Sequence, residues 1–243
     1  MATVQTGSEL FDQRWSTYDR ILAGNHLFHR ELYAELRHYL RATFTKPVDV
    51  LDLGCGDCQY LADQLTQEGE VCHISSFTGV DLAAGALELA RDNIMKALRP
   101  GTPTHFAHSD IVKYVADCSP QRFDLAFASY SVHHLTLEQR DELVRHLSKA
   151  LKPNGVYFQV DVLRRPEEPL ATYLDRFVQH IQADWNYLPQ ESKDDISTHA
   201  RECDLPETLD TWRTLARKHG FSSCKLLDAH PHPDTGFCLV LQK

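Results

Sequence analysis

The sequence lacks any apolar run long enough to cross a membrane. Hydrophobic residues make up 42% of its 243 positions, but no stretch approaches the ~18 consecutive apolar residues that a membrane-spanning helix needs. The first ten residues also lack the basic region and following apolar segment of a secretory signal. We therefore expect a soluble, unprocessed, cytoplasmic protein that contacts no membrane.

Positive charge is also scarce. Lys and Arg total 25 against 34 for Asp and Glu, which gives a formal net charge of −9. Such a chain repels a phosphate backbone unless a local basic patch reverses the field. Nucleic acid is therefore a disfavoured partner, and we expect a small-molecule substrate and a chain that is a monomer or a homodimer.

The seven cysteines do not form the even, regularly spaced set of a disulfide framework. They are scattered through apolar segments, which is typical of reduced thiols in a cytoplasm. Cys55 and Cys58 have the spacing of a redox or metal pair, and Cys72 and His73 offer two further ligand types. Because adjacent residues suit tetrahedral chelation poorly and Cys55 lies in a glycine loop, we predict no metal site.

What the sequence does contain is a regular alternation of strand-like and helix-like segments. Helical spacing of apolar residues separates the strands and is clearest at 83–98 and 137–151, the latter behind Thr136 as a candidate N-cap. A turn is predicted at residues 153–155, from Pro, Asn and Gly. The strand-like segments are 48–53, 77–81, 104–108, 123–129 and 156–162. This alternation predicts an α/β fold with a doubly wound, mostly parallel sheet.

Different patterns flank this alternation. Two helices are predicted within residues 8–40, with a joint near Gly24 and Asn25. Between 164 and 210, prolines punctuate helical pieces, which predicts a helical lid. The aromatic residues of that lid are Tyr173, Phe177, Trp185 and Tyr187. A last helix at 209–219, stopped by Gly220, precedes strands 222–228 and 236–241, which predict an antiparallel C-terminal hairpin.

We expect a single domain over residues 1–243. It divides into an N-terminal helical cap (1–46), a cofactor-binding core (47–163), the helical lid (164–210) and a C-terminal helix with the hairpin (211–243). Neither an internal repeat nor a low-complexity tract interrupts this organisation.

The residues just after the first four strands should converge, because open parallel sheets bind ligands at the carboxyl ends of their strands. They are Gly54, Cys55, Gly56, Asp81, Asp110, Ser129 and Tyr130. Glycines let a ligand approach the backbone closely, and Asp81 can accept both hydroxyls of a ribose. Asp110 can accept from an adenine amino group, and Asp52 can balance an ammonium. The set suits an adenosine that carries a charged tail.

Gln59 separates two ligands that such a loop could hold. It stands where a dinucleotide fingerprint places its third glycine, which lets the helix begin close to a pyrophosphate. A sulfonium nucleoside has no pyrophosphate and needs no such cradle. The position therefore weakens, without removing, the alternative of an NAD(P)-dependent oxidoreductase.

Five segments give a specific resemblance to a known family. They are VLDLGCGD (50–57), TGVDLAAGALELAR (78–91), HSDIVKY (108–114), FDLAFASYSVHHL (123–135) and LSKALKPNGVYFQV (147–160). In this order they resemble the successive motifs of the class I S-adenosylmethionine-dependent methyltransferases. The resemblance implies a Rossmann-like sheet of seven strands with a reversed last strand, and S-adenosylmethionine as the cofactor.

The resemblance also implies a place for each binding residue. The methionine part of the cofactor is flanked by Asp52, Gly54 and Gly56, with Cys55 between the glycines. The ribose is flanked by Asp81 and Leu82, and the adenine by Asp110 and Ile111. The sulfonium side is flanked by Ser129, which Tyr130 follows. Residues 9–32 resemble the leading helices of small-molecule members. By that likeness Arg14 and Tyr18 reach the carboxylate of the cofactor.

Methyl transfer asks little of side chains, because the sulfonium is already activated and alignment in a water-poor site supplies much of the rate. A base is needed when the acceptor arrives protonated. His133 and His134 follow the fourth strand and are the first candidates for it. His29, His199 and Asp161 are further candidates, and each of the five residues has a plain structural alternative.

The methyl acceptor can be inferred only indirectly, because the fold does not determine the substrate. Residues 129–132 read Ser-Tyr-Ser-Val and not the Asn/Asp-Pro-Pro-Tyr/Phe motif of enzymes that methylate base amines. The lid aromatics predict an enclosed pocket, or alternatively a core of the lid itself. We expect in-line methyl transfer to oxygen or nitrogen of a small molecule. A non-catalytic, methyltransferase-like partner subunit is the other alternative.

Overall fold

The structure is a computed structural model that describes residues 15–66, 72–227 and 236–243, with side chains from residue 20 onward. Its strands are β1 (Val48–Leu53), β2 (Ile74–Asp81), β3 (Thr104–His108), β4 (Phe123–Ser129), β5 (Leu151–Asp161), β6 (Ser223–Leu226) and β7 (Phe237–Gln242). These described strands form one seven-stranded sheet in the order β3-β2-β1-β4-β5-β7-β6. Strands β1 to β5 are parallel, and β7 is antiparallel to both β5 and β6. The predicted fold class is confirmed, including the terminal hairpin.

The central strands are apolar because helices cover both faces of the sheet. Successive side chains of a strand point to opposite faces. Val50 therefore packs into the apolar cluster on one face, and Leu51 into the cluster on the other. Each such leucine or valine contributes about 1.5–3 kcal/mol when fully buried. This double burial fixes the register of β1 and with it the position of the loop that follows.

The helices mostly follow the predicted segments. They are α1 (Trp15–Gly24), α2 (His29–Thr43), α3 (Gln59–Thr66), α4 (Ala84–Ala97), α5 (Ile111–Ala116), α6 (Leu137–Ala150), α7 (Leu170–Asp184), α8 (Gln190–Cys203) and α9 (Leu209–Lys218). The predicted cap Thr136 accepts from the backbone N–H of Gln139, whose side chain in turn accepts from the Thr136 N–H. Among these helices, α5 was not predicted from the sequence.

The turn predicted at residues 153–155 lies within β5 and does not precede it. Strand β5 runs through it, and its register with β4 shifts so that Phe123 pairs with Leu151 while Leu125 pairs with Val156. The extra residues form a bulge in which Asn154 has φ of 64°. Turn-forming residues therefore bend the strand locally without ending it.

Helices α7 and α8, in the segment predicted as a lid, have a small core of their own. Tyr173, Phe177 and Trp185 are buried together with Ile21 of α1 and Val162 after β5. Tyr187 is 65% exposed. Three of the four aromatic residues of the predicted lid therefore form its core, as the alternative interpretation expected. None of the helices described here has the length and apolar character needed to cross a membrane.

Candidate active site

A cavity of about 320 Å³ lies at the carboxyl ends of the parallel strands. Ten of the residues predicted to bind the cofactor line it. They are Asp52, Gly54, Cys55, Gly56, Asp81, Leu82, Asp110, Ile111, Ser129 and Tyr130. Arg14 and the side chain of Tyr18 lie outside the described part of the chain. The convergence of four strand ends therefore gathers the set around one space.

The glycine loop after β1 owes its shape to two positive φ angles. Gly54 has φ of 71° and Gly56 has φ of 51°, a region that favours glycine. A Cβ on Gly54 would lie 2.4 Å from the Cβ of Ser131, so the loop and the segment after β4 touch there. A Cβ on Gly56 would meet nothing within 4 Å. Gly56 thus presents bare backbone to the cavity.

Asp81, at the end of β2, holds this loop in place. Its Oδ2 accepts a hydrogen bond from the N–H of Gly56 at 2.8 Å, and its Oδ1 accepts from the N–H of Ala83 at 2.8 Å. Each carboxylate oxygen has a second lone pair. Asp81 can therefore bind a ligand's hydroxyl groups while it positions the loop beside them.

Asp52 is the most buried acid in the cavity wall. Burial raises the pKa of its carboxyl group well above the usual range, and the nearby Asp81 carboxylate raises it further. The Cys58 thiol lies 4.0 Å from its Oδ2. A buried carboxyl beside a second acid favours a cation in this part of the cavity.

Asp110 and Ile111 form the start of α5. The Asp110 side chain accepts from the N–H of Lys113 at 2.9 Å, which caps the helix, and Ile111 is buried beneath it. Tyr130 follows β4 with φ of 47°, and its hydroxyl donates to the Leu27 carbonyl at 2.5 Å. That bond ties the cavity wall to the turn between α1 and α2.

Sequence reasoning missed an aromatic wall in the same cavity. Tyr33 from α2 and Tyr60 from α3 line the space together with Tyr130. Ser131 and Gln139 line it as well. Ser131 adjoins the predicted strand end, and that position was the available signal. Tyr33 lies in a segment whose helical spacing predicts a buried face but not what that face contacts.

His29 packs behind this aromatic wall. Its ring centroid lies 5.3 Å from that of Tyr60 and 4.8 Å from that of Tyr130. Burial lowers its pKa to about 3, and neither ring nitrogen has a hydrogen-bond partner among the described residues. A neutral ring that does not line the cavity acts here as packing.

The other four predicted catalytic residues lie close to one another. His134 lines the cavity, whereas His133, His199 and Asp161 do not, as far as the described residues show. His133 Nδ1 lies 2.5 Å from Asp161 Oδ1, and its backbone N–H donates to Asp161 Oδ2. Burial lowers the pKa of His133, but the carboxylates of Asp161 and Asp204 outweigh this effect and raise it to about 9.

Asp204, which the sequence did not single out, is the centre of this group. Its Oδ1 lies 3.6 Å from His133 Nε2, 3.3 Å from His134 Nδ1 and 4.0 Å from His199 Nε2. Asp204 follows α8, so the carboxylate comes from the predicted lid and the first two histidines come from the turn after β4. Their separation along the chain leaves no motif to find.

Comparisons with known proteins agree with this geometry. Residues 50–155 match the family model described as a methyltransferase domain. An uncharacterised methyltransferase of Geobacillus kaustophilus is 25% identical over 217 residues, which cover 88% of each chain.

Solved structures share the fold. Magnesium protoporphyrin IX methyltransferase from Synechocystis, with S-adenosylhomocysteine bound, superposes with a TM-score of 0.61 at 14% identity, over 97% of each chain. The S-adenosylmethionine-dependent methyltransferase SibL superposes with a TM-score of 0.60 at 19% identity, over 92% of this chain and 56% of its own. Residues 50–155 therefore form a methyltransferase domain, the fold around them is that of the class I S-adenosylmethionine-dependent methyltransferases, and the cofactor is S-adenosylmethionine.

Proposed function

We propose that the chain transfers a methyl group from S-adenosylmethionine to an oxygen or nitrogen of a small molecule by in-line displacement. The observation that supports this most is the gathering of all ten described cofactor candidates around one cavity. The cofactor supplies the methyl group on an activated sulfonium. The residues of the chain have to hold it, place the acceptor and exclude water.

The walls of the cavity suit the parts of this cofactor in the predicted order. Gly56 offers open backbone, and Asp52 offers a buried acid where the methionine ammonium is expected. Asp81 is a carboxylate at the end of β2, where the ribose hydroxyls are expected, and its oxygens accept hydrogen bonds from the loop beside them. Asp110 and Ile111 lie one strand further along for the adenine. These four assignments are proposals that follow from position.

We place the acceptor between His134 and the aromatic wall. His134 is the predicted catalytic residue that lines the cavity, and Tyr33 and Tyr60 line the same space. Aromatic rings with few polar groups suit a small organic molecule. With a pKa of about 9, His133 is protonated at neutral pH and is unsuited to take a proton from the acceptor.

The net charge of −9 supports a small molecule over nucleic acid as the acceptor. The match of residues 50–155 to a methyltransferase domain favours a methyltransferase over the oxidoreductase alternative. A measurement of methyl transfer distinguishes an enzyme from the alternative of a non-catalytic partner subunit.

The test is methyl transfer from radiolabelled S-adenosylmethionine to panels of phenols, carboxylates and amines, with an RNA oligonucleotide as a further substrate. We expect product from at least one small-molecule panel, and at least tenfold less of it with His134→Ala. His38→Ala is the matched control, because this histidine lies on α2 with its side chain 65% exposed. Transfer to RNA alone would contradict the proposed acceptor class. Tight binding of S-adenosylhomocysteine without any turnover would favour a partner subunit.

A further inference from the structure

A cluster of three potential metal ligands lies at the edge of the active-site cavity. His133, His134 and Asp204 each offer one ligand atom, and these atoms lie within 4.8 Å of one another. We propose that this cluster binds a divalent transition-metal ion of the zinc class, through His133 Nε2, His134 Nδ1 and Asp204 Oδ1. This inference stands on the geometry of the cluster and needs no assumption about the acceptor.

Two of the three separations between the ligand atoms agree with those around a bound ion, and the third is at most 4.8 Å. Zinc bonds to histidine nitrogen and carboxylate oxygen are about 2.0–2.2 Å long, which places tetrahedral ligand atoms roughly 3.3–3.6 Å apart. The two histidine nitrogens lie 3.6 Å and 3.3 Å from Asp204 Oδ1. Both distances exceed those of a strong charge-assisted hydrogen bond, which is about 2.7–2.9 Å long. The atoms face one another at a distance that an ion between them would explain.

Two of these atoms are also buried, and their contacts within the cluster are long, at 3.3 Å and 3.6 Å. His134 Nδ1 and Asp204 Oδ1 are inaccessible to solvent, and neither has a well-aligned hydrogen bond to the described part of the chain. Buried polar atoms are costly when their polar contacts are incomplete. A shared cation would satisfy both atoms at once.

The ring of His133 is oriented as in many metal sites. Asp161 accepts at Oδ1 from His133 Nδ1, which leaves Nε2 directed toward Asp204. Gln159 in turn donates from Nε2 to Asp161 Oδ2 at 3.2 Å. A carboxylate that fixes the second nitrogen of a ligating histidine is a common feature of metal centres.

Arg140 ties together the two chain segments that supply the ligands. Its guanidinium donates to the carbonyl of His133 at 3.1 Å and also to the carbonyl of Leu205. The Leu205 N–H donates to the His133 carbonyl at 2.7 Å. The backbones that carry His133 and Asp204 are therefore held beside each other by the protein alone, so the site is built before any ion arrives.

The donor set indicates which ions suit the site. Two imidazole nitrogens and one carboxylate oxygen favour Zn²⁺, Fe²⁺, Co²⁺ or Ni²⁺ over Mg²⁺ or Ca²⁺, which prefer oxygen ligands. Three protein ligands also leave a coordination position open, as catalytic zinc sites do. His199 is the nearest further imidazole, with Nε2 4.0 Å from Asp204 Oδ1.

His134 links this site to the cavity, because it also lines that space. If the proposed function holds, an oxygen or nitrogen of the acceptor is the class of ligand for the open position. A cation there would lower the pKa of an acceptor hydroxyl. The sequence prediction of no metal site weighed the cysteines and His73 as ligands. It did not group residues 133, 134 and 204, which are distant in sequence.

Metal content tests the inference without cofactor or acceptor present. Tag-free protein is stripped with a chelator, loaded with Zn²⁺ or Co²⁺, desalted and analysed by elemental mass spectrometry. We expect about one equivalent per chain and, for Co²⁺, visible absorption of four- or five-coordinate ligation. Asp204→Asn and His134→Gln should each lose the bound ion, and Asp161→Asn should bind it about 10–100-fold more weakly. His38→Gln should bind as the wild type does.

Each result decides the matter. The proposed site is overturned if the wild-type protein retains no ion. It is also overturned if the Asp204→Asn and His134→Gln proteins retain as much ion as the wild type and the His38→Gln protein do. If a ligand variant fails to fold, the Co²⁺ absorption of the wild-type chain gives the answer, because a weak six-coordinate spectrum means adventitious binding. Failure of methyl transfer would leave a positive metal result intact, so the two proposals fail separately.

Discussion

At the scale of single residues, Asp81 has two functions that mutation can separate. Its carboxylate holds the N–H groups of Gly56 and Ala83 and is proposed to accept the ribose hydroxyls. We predict that Asp81→Ala weakens S-adenosylhomocysteine binding by about 1.5–3 kcal/mol, measured by isothermal titration calorimetry. Asp92→Ala, at an exposed position on α4, is the matched control. Unchanged affinity in the Asp81→Ala protein would remove the ribose assignment.

His29 gives a prediction about pH. Its folded-state pKa is about 3 against an ordinary value of 6.5, so between these values the unfolded chain binds a proton that the folded chain does not. Stability is therefore lost as pH falls below 6.5, by about 2 kcal/mol at pH 5. In His29→Phe this loss should disappear, which urea unfolding near pH 7.5 and pH 5 would measure. Equal pH dependence of both proteins would contradict the burial of a neutral ring.

At the scale of elements, the glycine loop combines backbone strain with close packing. Gly54 and Gly101 both have positive φ, but a Cβ would clash with Ser131 at Gly54 and would meet nothing within 4 Å at Gly101. We predict that Gly101→Ala costs about 1–2 kcal/mol of unfolding free energy, from the backbone conformation alone. Gly54→Ala should lower the free energy of unfolding by clearly more than Gly101→Ala does, which chemical denaturation would measure. In a Ser131→Gly protein, the difference in unfolding free energy between Gly54→Ala and Gly101→Ala should become smaller. If the two substitutions cost the same with and without Ser131→Gly, the structure relaxes to avoid the clash.

The cap of α6 permits a simpler test. Thr136 and Gln139 form a reciprocal capping box at the start of this helix. Thr136→Ala should lower the free energy of unfolding by about 1 kcal/mol, and Thr136→Ser should retain most of it, because the hydroxyl is the group that accepts. Chemical denaturation measures both, and an equal loss in the serine variant would show that the methyl group matters instead.

Elements with strong local signals could be predicted from the sequence, and elements held by distant contacts could not. Strands β3 and β4 have the predicted bounds, because apolar runs end at clear breaks. Helix α5 has six residues, too few for helical periodicity to repeat. Residues 153–155 were predicted as a turn, yet the Gly155 carbonyl accepts from the Lys243 N–H, a partner at the other end of the chain.

The candidate site divides in the same way. The ten cavity residues follow strand ends, and strand ends are predictable. Asp204 lies next to His133 only because Arg140 and Leu205 join two segments about 70 residues apart, and no local pattern encodes that contact. The aromatic wall was missed for a related reason, since Tyr33 lies in a segment whose helical spacing predicts a buried face but not what that face contacts.

At the scale of the whole molecule, cofactor binding should stabilise the fold as one unit, because the cavity joins strand ends from across the sheet. A ligand at 100 times its Kd adds about 2.7 kcal/mol to the free energy of unfolding. For a chain of this size we expect S-adenosylhomocysteine to raise Tm by about 5–10 °C, measured by differential scanning fluorimetry. NADH at the same concentration should leave Tm unchanged, and the reverse pattern would contradict the cofactor assignment.

The position of β7 also has a consequence for the order in which the protein forms. Strand β7 lies between β5 and β6 in the sheet although it is synthesised after both. Until it leaves the ribosome, β5 has an open edge and the four-residue β6 has no neighbour to pair with in the described sheet. Gly236, just before β7, packs so closely on Tyr130 that a Cβ would lie 2.3 Å from its hydroxyl oxygen. The residue that leads into β7 therefore packs behind one residue of the cavity wall, and a nascent chain that lacks this strand leaves the edge of β5 open and Tyr130 without that support.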